Sequence, residues 1–152
     1  MTENGPNLDD TDKAIIALLQ DDGRMPFSTL GPAVGLSPAA VRQRVLSLIA
    51  DGFMQIVAVT DPITIGFTVM ALAGINVKGS LDEVAKQLAE IDEISYVVIV
   101  TGRFDIIIEV VVEDTERLLD LMNEIRQLDS IVGTEVFNFL RLEKQTYNWG
   151  TR

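Results

Sequence analysis

Apolar residues in the first third of the chain recur every three to four positions, the spacing that places them on one face of an α-helix. A first helix is predicted to begin after Leu8, with Asp9 as its N-cap, and to stop at Gly23. A later helix is predicted from Ser37 to Asp51, with Ser37 as its N-cap and a proline at its first position. Its inward positions are Val41, Val45, Leu48 and Ile49, and its small or polar outward positions are Ala39, Ala40, Gln43, Arg44 and Ser47.

Between these two helices a short helix is predicted over 27–34, but it contains Gly31 and Pro32. Proline in a helix interior costs ~3 kcal/mol relative to alanine, so we expect this helix to be kinked, irregular or late in starting. A short strand is predicted from Phe53 to Thr60, where an Asp-Pro pair ends it. Three helices and a strand in this order predict a winged helix-turn-helix over 8–60; the alternative is an ordinary three-helix subdomain.

From residue 67 to 142 the period of the apolar residues alternates between two and about 3.6. The predicted order is strand, helix, strand, strand, helix, strand, which is the ferredoxin-like βαββαβ arrangement. The chain is therefore predicted to be α+β, with a disordered tail at 1–7, a linker at 61–66 and a C-terminal tail at 143–152. The strands are predicted at Thr68–Val77, Ser95–Thr101, Ile106–Val112 and Thr134–Leu142, and the helices at Leu81–Ala89 and Thr115–Leu128, with Ser80 and Asp114 or Thr115 as N-caps.

The two middle strands of this domain are apolar on both faces. In the first of them Tyr96, Val98 and Val100 point to one side and Val97 and Ile99 to the other. In the next strand Ile106, Ile108 and Val110 oppose Ile107 and Val111. Two helices can cover only one face of such a sheet, so something else must cover the other. The same sheet of a second copy would do so, which predicts a symmetric dimer with sheets packed face to face. The alternative is a cover made by the first domain or the linker.

The turn between these strands contains Gly102, Arg103, Phe104 and Asp105. Gly102 can supply a positive φ angle, and the flanking residues place one charge of each sign beside an aromatic ring. Such a group could hold the carboxylate and the ammonium of an amino acid. Hairpin turns also contain Gly and Asp for backbone reasons alone, which is the alternative reading of this turn.

The residue types that the chain lacks exclude several classes of protein. It has no histidine and no cysteine, so thiol nucleophiles, histidine bases, Ser-His-Asp triads and Cys/His zinc sites are excluded. Its longest apolar runs are far shorter than the ~18 residues of a membrane span, and its N-terminus lacks the features of a secretory signal. We expect a cytoplasmic protein with no membrane segment, no catalytic site, no metal and no cofactor.

Charge is segregated along the chain, whose formal net charge is -11. The first 60 residues hold four basic and seven acidic side chains, net -3, and the rest hold eight and sixteen, net -8. The run from Gly23 to Ala50 contains no Asp or Glu, and its only charges are Arg24, Arg42 and Arg44. Because so acidic a protein repels phosphate at long range, we expect any DNA contact to be local, specific and confined to this acid-free run.

Six short motifs follow one another from the first domain into the linker: Leu8-Asp9-x-x-Asp12-x-x-Ile15-Ile16-x-x-Leu19, Asp22-Gly23-Arg24, Val34-Gly35-Leu36-Ser37, Arg44-Val45-x-x-Leu48, Gly52-Phe53-Met54-Gln55 and Asp61-Pro62. A Gly102-x-Phe104-Asp105 turn follows in the second domain. In order and spacing, these motifs resemble the feast/famine regulators, also called the Lrp/AsnC family. The resemblance runs from about Leu8 to Leu142.

The resemblance implies a sequence-specific transcription regulator that binds double-stranded DNA as a dimer. It also implies frequent assembly into larger rings such as octamers, and a response to an amino acid or related metabolite. It makes the stretch from Ser37 to Leu48 the recognition helix, with Ala39, Ala40 and Gln43 facing base edges and Arg42, Arg44 and Ser47 nearer phosphates. It places the effector between neighbouring dimers near Gly102, Arg103, Phe104 and Asp105, with Asn123 and Thr134 as further lining residues.

Two features depart from the family pattern. The Gly31-Pro32 pair stands where relatives usually have helix formers, and residues 55–59 lack basic side chains that would touch the DNA backbone. With only three arginines in the acid-free run, we expect a shallow salt dependence and an affinity that relies on several dimers acting together. The alternatives are an architectural DNA-binding protein without ligand control, and a small metabolite-binding module or enzyme built on the second domain.

Overall fold

The computed structural model describes residues 8–146 and 150–151. The described chain divides into two compact units: residues up to Ala58 together with those from Lys144 onward form one, and Val59–Glu143 form the other. The predicted disordered tail, 1–7, lies outside the described residues, as do residues 147–149 and 152 of the predicted C-terminal tail.

Three short helices form the first unit, and the helix-turn-helix prediction is confirmed. Helix α1 spans Asp10–Asp21, α2 spans Phe27–Ala33 and α3 spans Pro38–Ala50. Helices of this length are marginal on their own, so the shared core stabilises all three. The buried side chains of that core are Ile15, Ile16, Leu19, Leu30, Val41, Val45 and Leu48.

Side-chain caps fix where the helices begin. At α1 the backbone N–H of Asp12 donates to Asp9 Oδ1 at 2.7 Å, and the Asp12 carboxylate accepts from the Asp9 N–H at 3.3 Å, which completes a capping box. At α3, Ser37 Oγ accepts from the backbone N–H three residues on at 3.2 Å. Ser80 and Asp114 cap the two helices of the second unit in the same way. All four predicted caps are confirmed.

The Gly31-Pro32 pair does not break α2. The helix starts at Phe27, so the late start, one of the three expected departures, is wrong, and Pro32 lies in its last turn. A Cβ added to Gly31 would lie 2.7 Å from the backbone oxygen of Leu36 and 3.1 Å from the carbonyl carbon of Ser37. Glycine is therefore required here because the segment that leads into α3 packs directly on α2.

Two other predictions for the first unit are wrong. Residues 53–60 form no strand, and no described segment pairs with them. A strand needs a neighbour for its N–H and C=O groups, and an apolar pattern alone does not supply one. Ile49, predicted to face inward, is 38% exposed. At 3.6 residues per turn it lies about 80° from Val41, at the edge of the buried stripe.

The second unit is a four-stranded antiparallel sheet with order β2-β3-β1-β4, as in the predicted ferredoxin-like fold. The last strand starts and ends earlier than predicted, because pairing with β1 between Val77↔Ile131 and Ala71↔Asn138 sets its limits. A short 3-10 turn, Ile63–Ile65, lies in the predicted linker. The elements are β1 Val69–Val77, α4 Leu81–Ala89, β2 Ile94–Ile99, β3 Ile106–Val112, α5 Thr115–Arg126 and β4 Ile131–Asn138.

The two faces of this sheet differ in burial. Along β3, Ile106, Ile108, Val110 and Val112 are buried with α4 and α5 in one core, whereas the residues between them are only half-buried. We call the second side the helix-free face. It is largely apolar, with Glu109 at its centre and Glu135 on β4 opposite Gly74, which confirms the predicted second apolar face. The strand register places Met70, Leu72, Tyr96, Val98, Ile107, Glu109, Val111 and Phe137 on it.

Candidate nucleic-acid interface and effector turn

The outward face of α3 is exposed and carries no acidic side chain. Ala39 and Ala40 present only methyl groups there, so the helix backbone can approach a partner closely. Among the seven residues predicted to face DNA, only Arg44 is half-buried. The exposed ones are Ser37, Ala39, Ala40, Arg42, Gln43 and Ser47.

Arg44 ties α3 to the start of α1. Its Nη1 lies 2.6 Å from Asp9 Oδ2 and 2.8 Å from Asp12 Oδ1. The backbone N–H of Asp12, and then the Arg44 guanidinium, lower the pKa of Asp9. A phosphate at Arg44 would therefore have to compete with two carboxylates. Sequence reasoning missed these ion pairs because the partners lie 32 and 35 residues away in the chain.

The other two arginines of the acid-free run are differently placed. Arg24 and Arg42 have exposed side chains, and within the described part of the chain neither forms an ion pair. Among the described arginines of the first unit, these two can meet an outside anion without breaking an internal ion pair.

The turn between β2 and β3 is anchored to the end of β1. Gly102 has φ 131°, a conformation that side chains disfavour. Asp105 Oδ2 accepts from the backbone N–H of Val77 at 2.8 Å, and the Asn76 side-chain amide donates to the carbonyl of Arg103 at 2.8 Å. The predicted positive φ at Gly102 is confirmed, and Asp105 has a backbone partner that spacing alone did not reveal.

Phe104 folds from this turn onto the helix-free face. A Cβ added to Gly74 would lie 2.4 Å from the Phe104 ring, so the ring packs directly on the backbone of β1. The ring also meets Phe137 edge to face, with centroids 6.2 Å apart. The Arg103 guanidinium lies 5.3 Å from the Phe104 centroid and 2.5 Å from Glu135 Oε2. A glycine inside an apolar strand was the one sequence signal that could have revealed this close approach.

The two weaker effector candidates lie on other elements. Thr134, on β4, accepts a hydrogen bond at its Oγ1 from Arg126 Nε at 2.8 Å. Asn123 lies on α5 with an exposed side chain. Thus the four turn residues Gly102 to Asp105 form one group that includes Glu135, and no described hydrogen bond or ion pair joins Asn123 or Thr134 to it.

Within residues 8–146 and 150–151, no three acidic side chains form a cluster that could hold a metal ion. None of the described helices is both long and apolar enough to cross a membrane.

Two family profiles match the chain, the AsnC-type helix-turn-helix domain over residues 8–49 and the Lrp/AsnC ligand binding domain over residues 70–149. The HTH-type transcriptional regulator FL11 of Pyrococcus furiosus is 30% identical over 141 residues, which cover 91% of this chain and 93% of FL11. The crystal structure of the leucine response regulatory protein LrpA of Mycobacterium tuberculosis superposes with a TM-score of 0.86 at 27% identity and covers 95% of this chain and 100% of LrpA.

A third relative shares the fold at lower identity. The regulator NMB0573 of Neisseria meningitidis, whose structure was solved as a complex with L-Met, has a TM-score of 0.79 at 22% identity, covering 91% of this chain and 94% of that one. Because both family profiles match in order and together cover most of the sequence, the chain belongs to the Lrp/AsnC family of HTH-type transcriptional regulators, which are DNA-binding proteins and not enzymes.

Proposed function

We propose that this regulator reads a specific DNA sequence through α3 and responds to an amino acid or related small metabolite bound at the turn that begins at Gly102. The observation that carries the DNA part is the exposed, acid-free face of α3 in a chain of net charge -11. A protein this acidic is repelled by DNA at long range, so recognition depends on local complementarity at that face. We propose that it acts in the cytoplasm, as expected from the sequence.

Base recognition falls to the first two turns of α3. Gln43 has the amide that can pair with both N6 and N7 of an adenine in the major groove. Ala39 and Ala40 lie on the same exposed face, where their methyl groups suit contact with a thymine methyl. Replacing Gln43 with alanine is therefore expected to change sequence preference more than overall affinity for DNA.

Phosphate contact is assigned to Arg42 first. Ser37 and Ser47 have exposed hydroxyl groups that can donate to phosphate oxygens at either end of α3. Arg44 is the weakest member of the predicted set, because Asp9 and Asp12 already hold its guanidinium. We assign it mainly to keeping α3 packed on α1.

The matched pair Arg42→Ala and Arg44→Ala tests these roles on one helix. Arg42→Ala should weaken all DNA sequences alike and make the slope of log K against log salt about 0.9 less negative. Arg44→Ala should leave that slope unchanged and speed hydrogen exchange where α1 meets α3. Equal slope changes in both variants would place Arg44 on a phosphate and contradict our assignment.

The effector turn offers both charges of an amino acid. Arg103 can bind the carboxylate of a ligand. To do so, its guanidinium must release the ion pair with Glu135. Asp105 and Glu135 can receive the ammonium group. The ring of Phe104 stands beside these charges and provides an apolar surface for a side chain.

A thermal-shift screen of the amino acids tests the effector. A ligand at 100 times its Kd stabilises the folded state by about 2.7 kcal/mol, which is readily detected. The hit should be lost in Arg103→Gln and Asp105→Asn and kept in Arg141→Gln, where the exposed Arg141 pairs with Glu143 in the segment after β4. Specific promoter binding with no hit in the screen would favour an architectural protein without ligand control.

We further propose that the helix-free face joins two copies, and that such dimers assemble further, as in an octamer. Tyr96 and Phe137 are 54% and 46% exposed on this apolar face, which a second copy would cover. Tyr96→Glu should give a smaller solution mass by light scattering. Leu119→Glu, at an equally exposed apolar residue on α5, should leave the dimer intact. A dimer that survives Tyr96→Glu would exclude this face as the interface.

A further inference from the structure

A groove of about 260 Å³ lies between α5 and β4 on the side of the sheet that carries the helices. Its apolar lining comes from Leu118, Leu119, Met122 and Val136. Met122 is 2% exposed and belongs to the core, whereas Leu119 is 57% exposed. The groove thus combines an apolar floor in a packed core with an apolar rim open to solvent.

The charge of this groove is opposite to that of its surroundings. Arg126 is the one charged residue that lines it, although residues 61–152 hold sixteen acidic and eight basic side chains. The acidic residues of α5, Glu116, Asp120 and Glu124, recur every four positions along another stripe of the helix. An anion in the groove would therefore meet a cation and no lining carboxylate.

Arg126 is exposed, and one edge of its guanidinium is anchored to β4. Its Nε donates to Thr134 Oγ1 at 2.8 Å, while its two terminal amino groups have no hydrogen-bond or ion-pair partner within the described chain. A planar guanidinium that is fixed at one edge is preorganised to bind a carboxylate with its remaining donors. Fixing it beforehand also lowers the entropy lost on binding.

We propose that this groove binds a short-chain monocarboxylate without an ammonium group, such as a short fatty acid or a 2-oxo acid. The carboxylate pairs with Arg126, and the chain lies along Leu118, Met122 and Val136. Because no lining residue is acidic, the ammonium of an amino acid would meet only the neutral oxygens of Thr115 and Asn138, with no carboxylate to offset its lost hydration. The volume is below the ~300–1,000 Å³ of pockets for larger ligands, so the chain is short.

This site differs from the effector turn in the ligand that it selects. The turn presents Arg103 together with Asp105 and Glu135, and so suits a zwitterion. The groove presents one cation, apolar side chains and the uncharged Thr115 and Asn138, and no carboxylate. The proposal therefore stands on its own lining residues and does not depend on an amino acid at the turn.

Hexanoate is the probe for the test, with hexanamide and norleucine as its uncharged and amino-bearing counterparts. Binding to the full-length protein is followed by NMR of methionine methyl groups. Met122 in the groove should shift and saturate with hexanoate, and Met70, on the helix-free face, should not. Hexanamide and norleucine should each bind at least about 10-fold more weakly, the scale of a charge-assisted hydrogen bond.

Three variants locate the site. Arg126→Gln should weaken hexanoate binding about 10-fold or more, since it removes the charge. Leu119→Glu places a carboxylate at the exposed rim, where folding does not depend on it, and should weaken hexanoate equally. Lys86→Gln, at an exposed lysine on α4, should change nothing. Equal binding of hexanamide or norleucine, or hexanoate binding that survives Arg126→Gln and Leu119→Glu, would overturn the proposal and leave the effector turn unaffected.

Discussion

Replacing Gly31 with alanine tests how the chain sets α3 against α2. Glycine to alanine inside a helix ordinarily stabilises by about 0.5–1 kcal/mol, because glycine loses more conformational freedom on folding. At Gly31 the new Cβ would lie 2.7 Å from the carbonyl oxygen of Leu36 and 3.1 Å from the carbonyl carbon of Ser37. Both atoms belong to the backbone just before α3, so no side chain can rotate away.

The magnitude follows from opposing effects. Overpacking a tight contact costs about 1–3 kcal/mol, and a backbone contact belongs in the upper part of that range. Subtracting the helix gain of about 1 kcal/mol leaves a net destabilisation of about 1–2 kcal/mol. The relief of the clash moves the start of α3, so affinity for specific DNA should fall as well.

Hydrogen exchange across α1, α2 and α3 in the full-length protein measures this loss locally. A loss of 1–2 kcal/mol corresponds to roughly 5–30-fold faster exchange of the most protected amides. Gly23→Ala is the matched control, because its Cβ would meet its nearest atoms at 3.6 and 3.8 Å, ordinary contact distances. It should leave exchange unchanged or slower. If the amides of the three helices exchanged as slowly in Gly31→Ala as in Gly23→Ala, the close packing of the Leu36–Ser37 backbone on Gly31 would not limit stability.

Three further changes test other contacts. Ser37→Ala removes the α3 cap and should cost about 1 kcal/mol, measured as faster exchange in the first turn of α3, whereas Ser37→Asp should restore protection. Arg117 lowers the pKa of Glu93 below 4.5, so their contribution to stability is fully present above that pH and lost as pH falls through the lowered value. The free energy of unfolding, measured across this pH range, should depend less on acid in Arg117→Gln than in the unmodified protein. An unchanged pH profile would show that the Glu93–Arg117 pair does not contribute to stability. Gly74→Ala would put a Cβ 2.4 Å from the Phe104 ring and should displace the ring from β1. The variant should then lose the thermal shift caused by the amino acid. An unchanged shift would show that the packing of Phe104 on β1 is not needed for binding.

Local chemistry in the sequence determined where four of the five described α-helices begin. Asp9, Ser37, Ser80 and Asp114 each cap a helix through a hydrogen bond that spans three residues. Side-chain direction in a strand has a period of two, so the sequence of Ile106–Val112 was enough to predict which residues share each face of β3. These features depend on neighbours in the chain, so they could be read from the sequence. The DNA-facing and effector residues remain predictions from the family resemblance.

Tertiary structure alone decided the features whose partners are far away in the chain. The carboxylates that hold Arg44 lie 32 and 35 residues from it, and the backbone N–H that holds Asp105 belongs to Val77, 28 residues away. The limits of β4 follow from its pairing with β1, and residues 53–60 form no strand because nothing described pairs with them. Such contacts depend on which segments the fold brings together, and the periodicity of one segment carries no information about its partner.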